Sequence, residues 1–276
     1  MKQFLPISLL LSGLIAVAAD STITFHDSNL DAAIRAFLPP DGPKPGEALT
    51  EAQAGSIILI SAKDKPVRDL TGIERCKQVA TIYLSGTQIA DLTPLAKLAN
   101  LEQLTIAGGK IRDLAPLAGL AKLTYLDLSG NEISDLKPLS NLKALTALYL
   151  SNNKISDIAP LGDLTALQTV HLDGNQISDL TPLGSLNSLT MVDLKKNQVR
   201  DLAPVARLTA WRYLYLDHNQ ISDLGSLVAA MPKDDNAKRL WSERTLSVSG
   251  NPLSAPARSQ QLPMLGKLLF DLIAAQ

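Results

Sequence analysis

The sequence is poor in cysteine, in net charge and in aromatic residues. Cys76 is its single cysteine, which excludes an internal disulfide and any zinc site built on several thiolates. Its 26 basic and 27 acidic residues leave a formal net charge of −1. Without a basic excess we expect neither nucleic acid nor an anionic membrane surface as a partner. Aromatic residues make up only 4% of the chain.

Long apolar runs are also scarce, except at the start of the chain. Residues 1–19 combine Lys2, an apolar stretch over 9–18 and small residues at 16–19. This order predicts a secretory signal peptide. The alternative, a transmembrane anchor, needs roughly 20 apolar residues, and no basic stop follows the stretch. We therefore expect a protein outside the cytoplasm, periplasmic or secreted, without stable membrane insertion after cleavage.

A repeat of 22 residues dominates the remaining chain. Seven units in one register start at residues 57, 79, 101, 123, 145, 167 and 189, an eighth, longer unit starts at 211, and a remnant spans 246–254. Their consensus is LxxLxLxxNxIxDLxPLxxL. One unit cannot bury its leucines alone, whereas stacked units cover one another's apolar faces and form a continuous core. The pattern predicts a solenoid over residues 57–254.

The phrase NxISDLxPL, which begins at Asn131, Asn153, Asn175 and Asn219, resembles the leucine-rich repeat family and its internalin-like group with 22-residue units. The resemblance implies an α/β repeat solenoid, a right-handed horseshoe with a concave parallel sheet. It also implies that the asparagines lie inside the turns and bond the backbone of adjacent coils. This structural ladder would comprise Asn131, Asn153, Asn175, Asn197, Asn219 and Asn251. Lys65, Thr87 and Gly109 replace asparagine in earlier units, so we expect a weaker ladder there.

Aspartates recur in a second register, and each precedes a leucine or isoleucine. They are Asp69, Asp91, Asp113, Asp135, Asp157, Asp179, Asp201 and Asp223. A short carboxylate that caps a tight helical turn explains this position. Calcium would need six or more converging oxygens, so we expect no metal site. Cys76 occupies a leucine register and is interpreted as a small buried hydrophobe.

Each end of the array needs a cap that shields its core. Within residues 20–56, the helical spacing over 28–38 and the capping-box pair Thr50 and Gln53 predict two cap helices. Residues 255–276 predict one amphipathic C-terminal cap helix. Its apolar face would contain Leu262, Leu265, Leu268, Leu269, Leu272 and Ile273.

Residues 228–244 lengthen the eighth unit. Such an insertion is either a contact loop or a loop on the convex side with Trp241 tucked inward. The sequence leaves both interpretations open.

All five tyrosines lie in two strand registers that should face away from the core. Tyrosine favours strands, but it is also enriched in binding hot spots. We therefore predict a concave partner-binding face. Its residues would be Tyr83, Tyr125, Asp127, Tyr149, His171, Asp173, Asp193, Tyr213, Tyr215 and Asp217.

Catalysis is the competing interpretation, because Ser151, His171 and Asp193 lie on successive strands and imitate a hydrolase triad. An open sheet without evident oxyanion donors argues against it. We expect a monomeric, non-catalytic module that binds a protein ligand and needs no cofactor. The alternative is a structural or scaffolding envelope protein, which could contact glycans.

Overall fold

A computed structural model describes residues 22–274, apart from 41, 45–46, 63–64, 234–237 and 240. The predicted signal peptide lies outside the described residues. Ten parallel strands form one sheet in which every strand pairs with its neighbours in chain order. The strands are β3 (Leu59–Ser61), β4 (Thr81–Ser85), β5 (Gln103–Ala107), β6 (Tyr125–Asp127), β7 (Ala147–Tyr149), β8 (Thr169–His171), β9 (Met191–Asp193), β10 (Tyr213–Tyr215), β11 (Thr245–Ser247) and β12 (Asp271–Ile273).

Strands β3 to β11 each bury their second residue, and the coils of β3 to β10 close on the far side with a short helix. Leu104, Leu126 and Leu148 are fully buried and lie opposite one another across the sheet. Burial of each leucine contributes roughly 1.5–3 kcal/mol, so the stacked columns stabilise the array. The closing helices are Ile73–Arg75, Thr93–Lys97, Ala115–Leu117, Lys137–Leu139, Ala159–Leu161, Thr181–Ser185, Ala203–Ala206 and Gly225–Ala229.

The recurring aspartates stabilise the turns that lead into these short helices. Asp157 Oδ1 accepts a hydrogen bond of 2.8 Å from the backbone N–H of Ala159. Equivalent bonds run from the residue two positions on at every one of the eight aspartates. The carboxylate therefore shapes an Asx turn one residue before the helix cap, such as Ile158, rather than acting as the N-cap itself.

The six asparagines of the predicted ladder are buried inside the turns. The Nδ2 group of Asn175 donates to the carbonyl of Leu172 in its own coil at 2.9 Å and to that of Leu150 in the preceding coil at 3.0 Å. Its Oδ1 accepts from the N–H of Ile155 at 3.0 Å. One amide thus satisfies backbone groups of two coils. By contrast, Thr87 is buried with its hydroxyl unpaired among the described residues.

The residue just before each ladder asparagine has a left-handed backbone, a feature that the sequence analysis missed. Glycine occupies three of these six positions, and Asn152, Lys196 and His218 occupy the others with φ values of 55°, 54° and 55°. Asparagine tolerates this conformation better than most residues. The alternation of Gly130, Asn152 and Gly174 in the sequence was the available signal.

The N-terminal cap contains two helices, as the sequence predicts. Helix α1 (Ser28–Arg35) is capped by Asp27, and helix α2 (Glu51–Gly55) begins with a complete capping box between Thr50 and Gln53. Helix α1 ends at Arg35, short of the predicted residue 38. A small antiparallel pair, β1 (Thr22–Ile23) with β2 (Leu49–Thr50), completes this cap.

The C-terminal segment differs from the single helix that the sequence predicts. One π-helical turn (Ala257–Gln261) and a short α-helix (Leu262–Gly266) are followed by strand β12. The backbone N–H of Val248 donates to the carbonyl of Ile273 at 2.8 Å. The free edge of β11 offers unpaired backbone groups, and pairing with them outweighs a helical pattern over the last residues.

The insertion packs against the eighth unit. Trp241 is buried and its ring lies 5.8 Å from that of Trp211, centroid to centroid. The guanidinium of Arg244 lies 4.5 Å and 4.7 Å from these two ring centroids, and burial lowers the pKa of Arg244 to about 10. This geometry favours the loop with an inward Trp241, although residues 234–237 and 240 lie outside the described residues.

Candidate protein-binding face

The open face is the side of the ten-stranded sheet that points away from the core and corresponds to the predicted concave face. It consists of the first and third residues of each strand, which lie on either side of the second residue, buried in β3 to β11. Its aromatic and histidine members are Tyr83, Tyr125, Tyr149, His171, Tyr213 and Tyr215. The fold therefore brings all five tyrosines to one side of the sheet.

An aromatic stack lies at the centre of the open face. Tyr149 and His171 are directly opposite each other on β7 and β8, and their ring centroids are 4.7 Å apart with planes inclined by 24°. Tyr125 continues the stack at 5.3 Å from Tyr149. A strand spacing of about 4.8 Å places such rings in contact. Tyr213 and Tyr215 form a second, looser pair at 6.4 Å.

The sequence predicts that Tyr125, Tyr149, His171, Tyr213 and Tyr215 are solvent-exposed, and this is correct only for Tyr213, with 40% of its surface exposed. The other four are half-buried, because each ring covers part of a neighbouring ring. Tyr83, alone on β4, remains 39% exposed.

Two of the predicted partner-binding carboxylates are buried instead of exposed to a protein partner. Asp193 is 4% exposed, and its oxygens accept from the N–H of Lys195 at 3.1 Å and from the Lys195 ammonium at 2.9 Å. Asp217 is 8% exposed and accepts from the hydroxyl of Ser247 and the N–H of Ser249. A carboxylate at the exit of a strand can reach the backbone of the next turn, so these groups organise the turn.

The other two predicted partner-binding carboxylates are partly accessible. Asp127 and Asp173 are half-buried, and Asp127 also accepts a turn N–H, that of Ser129, at 3.0 Å. Burial, with a further contribution from the Asp127 carboxylate, raises the pKa of Tyr125 to about 12. Tyr125 therefore keeps its phenol proton at physiological pH and can donate a hydrogen bond.

Lys195 connects the acidic and aromatic parts of the open face. Its ammonium lies 4.9 Å from the ring centroid of Tyr215 while it bonds Asp193. The hydrogen bond with Asp193 raises the pKa of Lys195, and the charges of Asp173 and Asp217 add to this shift. Lys195 is therefore held as a cation over an aromatic ring.

The structure does not arrange Ser151, His171 and Asp193 as a hydrolase triad. The hydroxyl of Ser151 donates to the carboxylate of Asp173, and Nε2 of His171 contacts the sulfur of Met191 at 3.2 Å. A serine nucleophile needs a base within hydrogen-bond reach, and no Ser151–His171 hydrogen bond occurs among the described residues. Instead, one ligand atom each from His171, Asp173 and Asp193 lie within 4.8 Å of one another.

Within the described part of the chain, no helix has the length and apolar character needed to cross a bilayer.

Sequence and structure comparisons agree with the fold. A family model described as leucine-rich repeats in two copies matches residues 121–163 and 143–185. Internalin C2 from Listeria monocytogenes is 34% identical, with 74% of this chain and 90% of that chain covered and a TM-score of 0.71. Internalin InlF from the same organism is 28% identical, with 91% and 90% covered and a TM-score of 0.64.

More distant structures share the fold alone. A leucine-rich-repeat protein of Leptospira interrogans is 22% identical, with 74% of this chain and 57% of that chain covered and a TM-score of 0.60. No curated protein sequence matches the chain.

The parallel sheet, the short helices and the asparagine turns define a leucine-rich-repeat protein. At 34% identity over 90% of internalin C2, the chain belongs to the internalin-like leucine-rich-repeat family.

Proposed function

We propose that the chain is a non-catalytic recognition module outside the cytoplasm and that its open face binds a protein ligand. Family membership supports the coarser statement that this is a protein-binding repeat module. The aromatic stack of Tyr125, Tyr149 and His171 is the observation that carries the finer proposal, because folding does not require aromatic rings on that side of the sheet.

The stack offers a rigid surface with a mixed chemistry. Its rings hold one another at 5.3 and 4.7 Å, so little side-chain entropy is lost when a partner covers them. Rigid aromatic side chains of this kind are enriched in binding hot spots. Tyr125 supplies a phenol donor, and the exposed Tyr213 extends the aromatic surface towards the C-terminal strands. Ten strands at about 4.8 Å give a face roughly 45 Å long, which suits a standard interface of about 800 Å² per partner.

The stack favours a protein over a sugar. Recognition of a sugar by stacking needs an accessible ring face, whereas the faces of Tyr149 and His171 cover each other at 4.7 Å and an inclination of 24°. Ring edges and polar tips remain for a partner, which suits side chains and backbone of a protein. The stack therefore favours a protein ligand over the glycan contacts of the alternative function.

Distant precedent for the scaffold comes from the ectodomain of the plant receptor kinase GASSHO1 from Arabidopsis thaliana, solved in complex with CASPARIAN STRIP INTEGRITY FACTOR 2. It is 23% identical to this chain, with a TM-score of 0.60 over 71% of this chain and 24% of that chain. At this identity the likeness concerns the fold alone. A location outside the cytoplasm rests on the predicted signal peptide at residues 1–19.

The experiment is capture of a ligand from envelope and host extracts, followed by calorimetry with the purified partner. Replacement of Tyr149 and Tyr215 together by alanine should weaken binding by 2 kcal/mol or more, the hot-spot threshold, or about 30-fold in Kd. The matched control is Phe270→Ala, because Phe270 is an exposed ring, 78% accessible, outside the stack. Unchanged affinity in the double variant, with loss in the control, would move the interface away from the open face.

A further inference from the structure

We propose that His171, Asp173 and Asp193 form a binding site for a divalent first-row transition ion, with Zn²⁺ as the reference ion. The proposal concerns the chain by itself and does not depend on a protein ligand. It rests on the position of three donor groups, His171 on β8, Asp193 on β9 and Asp173 just after β8, and on the chemistry of their present partners.

The three donors converge because of the repeat. His171 and Asp193 are directly opposite each other in the register of β8 and β9, and Asp173 follows His171 two residues later on the same side. One ligand atom from each residue lies within 4.8 Å of the others. Around a tetrahedral Zn²⁺, with bonds of about 2.0–2.2 Å, ligand atoms are about 3.3–3.5 Å apart. Side-chain movements of about 1 Å would bring the three ligand atoms to this spacing.

The contacts of the His171 ring favour one of its two nitrogens as a metal ligand. Its ring is stacked on Tyr149, and its Nε2 contacts the sulfur of Met191 at 3.2 Å. A thioether sulfur is only an acceptor, so in a hydrogen bond between these two atoms Nε2 is the donor. In that tautomer the lone pair lies on Nδ1, and metal-bound histidines commonly have a partner on the second ring nitrogen.

The net negative charge around the three donor groups favours binding of a divalent cation. The carboxylates of Asp173 and Asp193 lie together, and the Lys195 ammonium bonds Asp193 at 2.9 Å. That ammonium also lies in the field of Asp173 and Asp217, so one positive charge faces three negative charges. The Lys195 side chain is 38% exposed and can move away. Asp173 accepts from Ser151, and a carboxylate has further lone pairs beyond that bond.

The donor types determine the class of ion. One imidazole with two carboxylates suits Zn²⁺, Ni²⁺, Co²⁺ or Cu²⁺. Calcium needs six to eight oxygen ligands and magnesium a near-ideal octahedral set, which three protein donors including a nitrogen do not supply. A three-ligand site also leaves a coordination position open.

The test is calorimetric titration of the purified protein, without a polyhistidine tag, with ZnCl₂ at neutral pH. We expect one saturable site per chain. His171→Ala and Asp173→Asn should each weaken it at least tenfold, because loss of even an outer-shell partner typically costs 10–100-fold. Lys195→Met should strengthen binding several-fold, since it removes the competing ammonium. Thermal unfolding checks that each variant is folded.

Two matched controls separate this site from nonspecific binding. His26→Ala removes an exposed histidine outside the repeat sheet, and Asp127→Asn removes a carboxylate from the same face two strands before His171. Both should bind Zn²⁺ like the wild type. The proposal is overturned if the wild type shows no saturation up to about 1 mM, if His171→Ala binds equally well, or if His26→Ala loses the site. An unchanged affinity in Lys195→Met would remove Asp193 from the ligand set.

Discussion

Tyr149 and His171 lie opposite each other on neighbouring parallel strands, and their rings stack with centroids 4.7 Å apart. Aromatic pairs contribute about 0.5–1.5 kcal/mol beyond the area they bury. A double-mutant cycle with Tyr149→Ala, His171→Ala and both together should therefore give a coupling energy in this range, measured by urea denaturation. The control cycle combines Tyr83→Ala with His171→Ala, since Tyr83 lies on β4, and should give additive effects. Additivity in the first cycle would mean that the rings are adjacent without stabilising each other.

The asparagine ladder makes a second prediction. Asn175→Ala should lower the free energy of unfolding by about 1–3 kcal/mol, because it leaves the buried carbonyls of Leu150 and Leu172 and the N–H of Ile155 without their partner. The neighbouring exposed residue provides the control, and Gln176→Ala should stay within about 0.5 kcal/mol. A wild-type denaturation midpoint for Asn175→Ala would contradict the structural role of the ladder.

The aspartate turns can be tested in the same coil. Asp157→Ala removes the acceptor for the N–H of Ala159 and should cost about 0.5–1.5 kcal/mol. Asp157→Asn keeps a side-chain oxygen acceptor and should recover most of that loss. The comparison uses chemical denaturation of both variants. Equal destabilisation by alanine and asparagine would show that the carboxylate charge, not the hydrogen bond, matters.

Ser151 is expected to be unreactive. Its hydroxyl is bonded to the carboxylate of Asp173 instead of the imidazole of His171, so a fluorophosphonate probe should label the wild type no more than Ser151→Ala. Intact-mass spectrometry measures the modification. Stoichiometric labelling that disappears in Ser151→Ala and in His171→Ala would establish a nucleophile and overturn the non-catalytic proposal.

Cys76 should not react with thiol reagents in the folded protein. It is fully buried, and burial, with a smaller effect of Glu74, raises its pKa from 9.0 to about 12. The thiol reagent DTNB at pH 8 should react with one thiol per chain only after denaturation. Because the folded pKa lies above the unfolded value, the associated stability is complete below pH 9 and is lost as the pH rises towards 12. Rapid reaction of the native protein would contradict this burial.

Much of the fold follows from local patterns in the sequence. The leucine spacing predicts the buried columns, and the capping-box pair Thr50 and Gln53 predicts the start of helix α2, which the structure confirms. The C-terminal segment was predicted wrongly at residues 271–273, because its amphipathic pattern fits a helix and a strand over so few residues. The exposed edge of β11 decided between them.

The features of the open face were predicted only in part from the sequence. Alternation along each strand assigned the five tyrosines to one side, but the sequence could not show that Asp193 and Asp217 are buried. Their burial depends on side chains and turns of neighbouring coils, such as Lys195 and Ser249. Likewise, the approach of His171 to Asp173 and Asp193 depends on the pairing of β8 with β9 and on side-chain positions.

The sequence by itself therefore determined the coil, its period, its buried leucines and the positions of the recurring asparagines and aspartates, since these features repeat with every unit. Tertiary structure alone decided which rings stack, which carboxylates are covered and where the last strand pairs. These outcomes depend on side chains 20 or more residues apart, as between Tyr149 and His171 or Asp217 and Ser247, and on competition for backbone groups at a sheet edge, which no local pattern records.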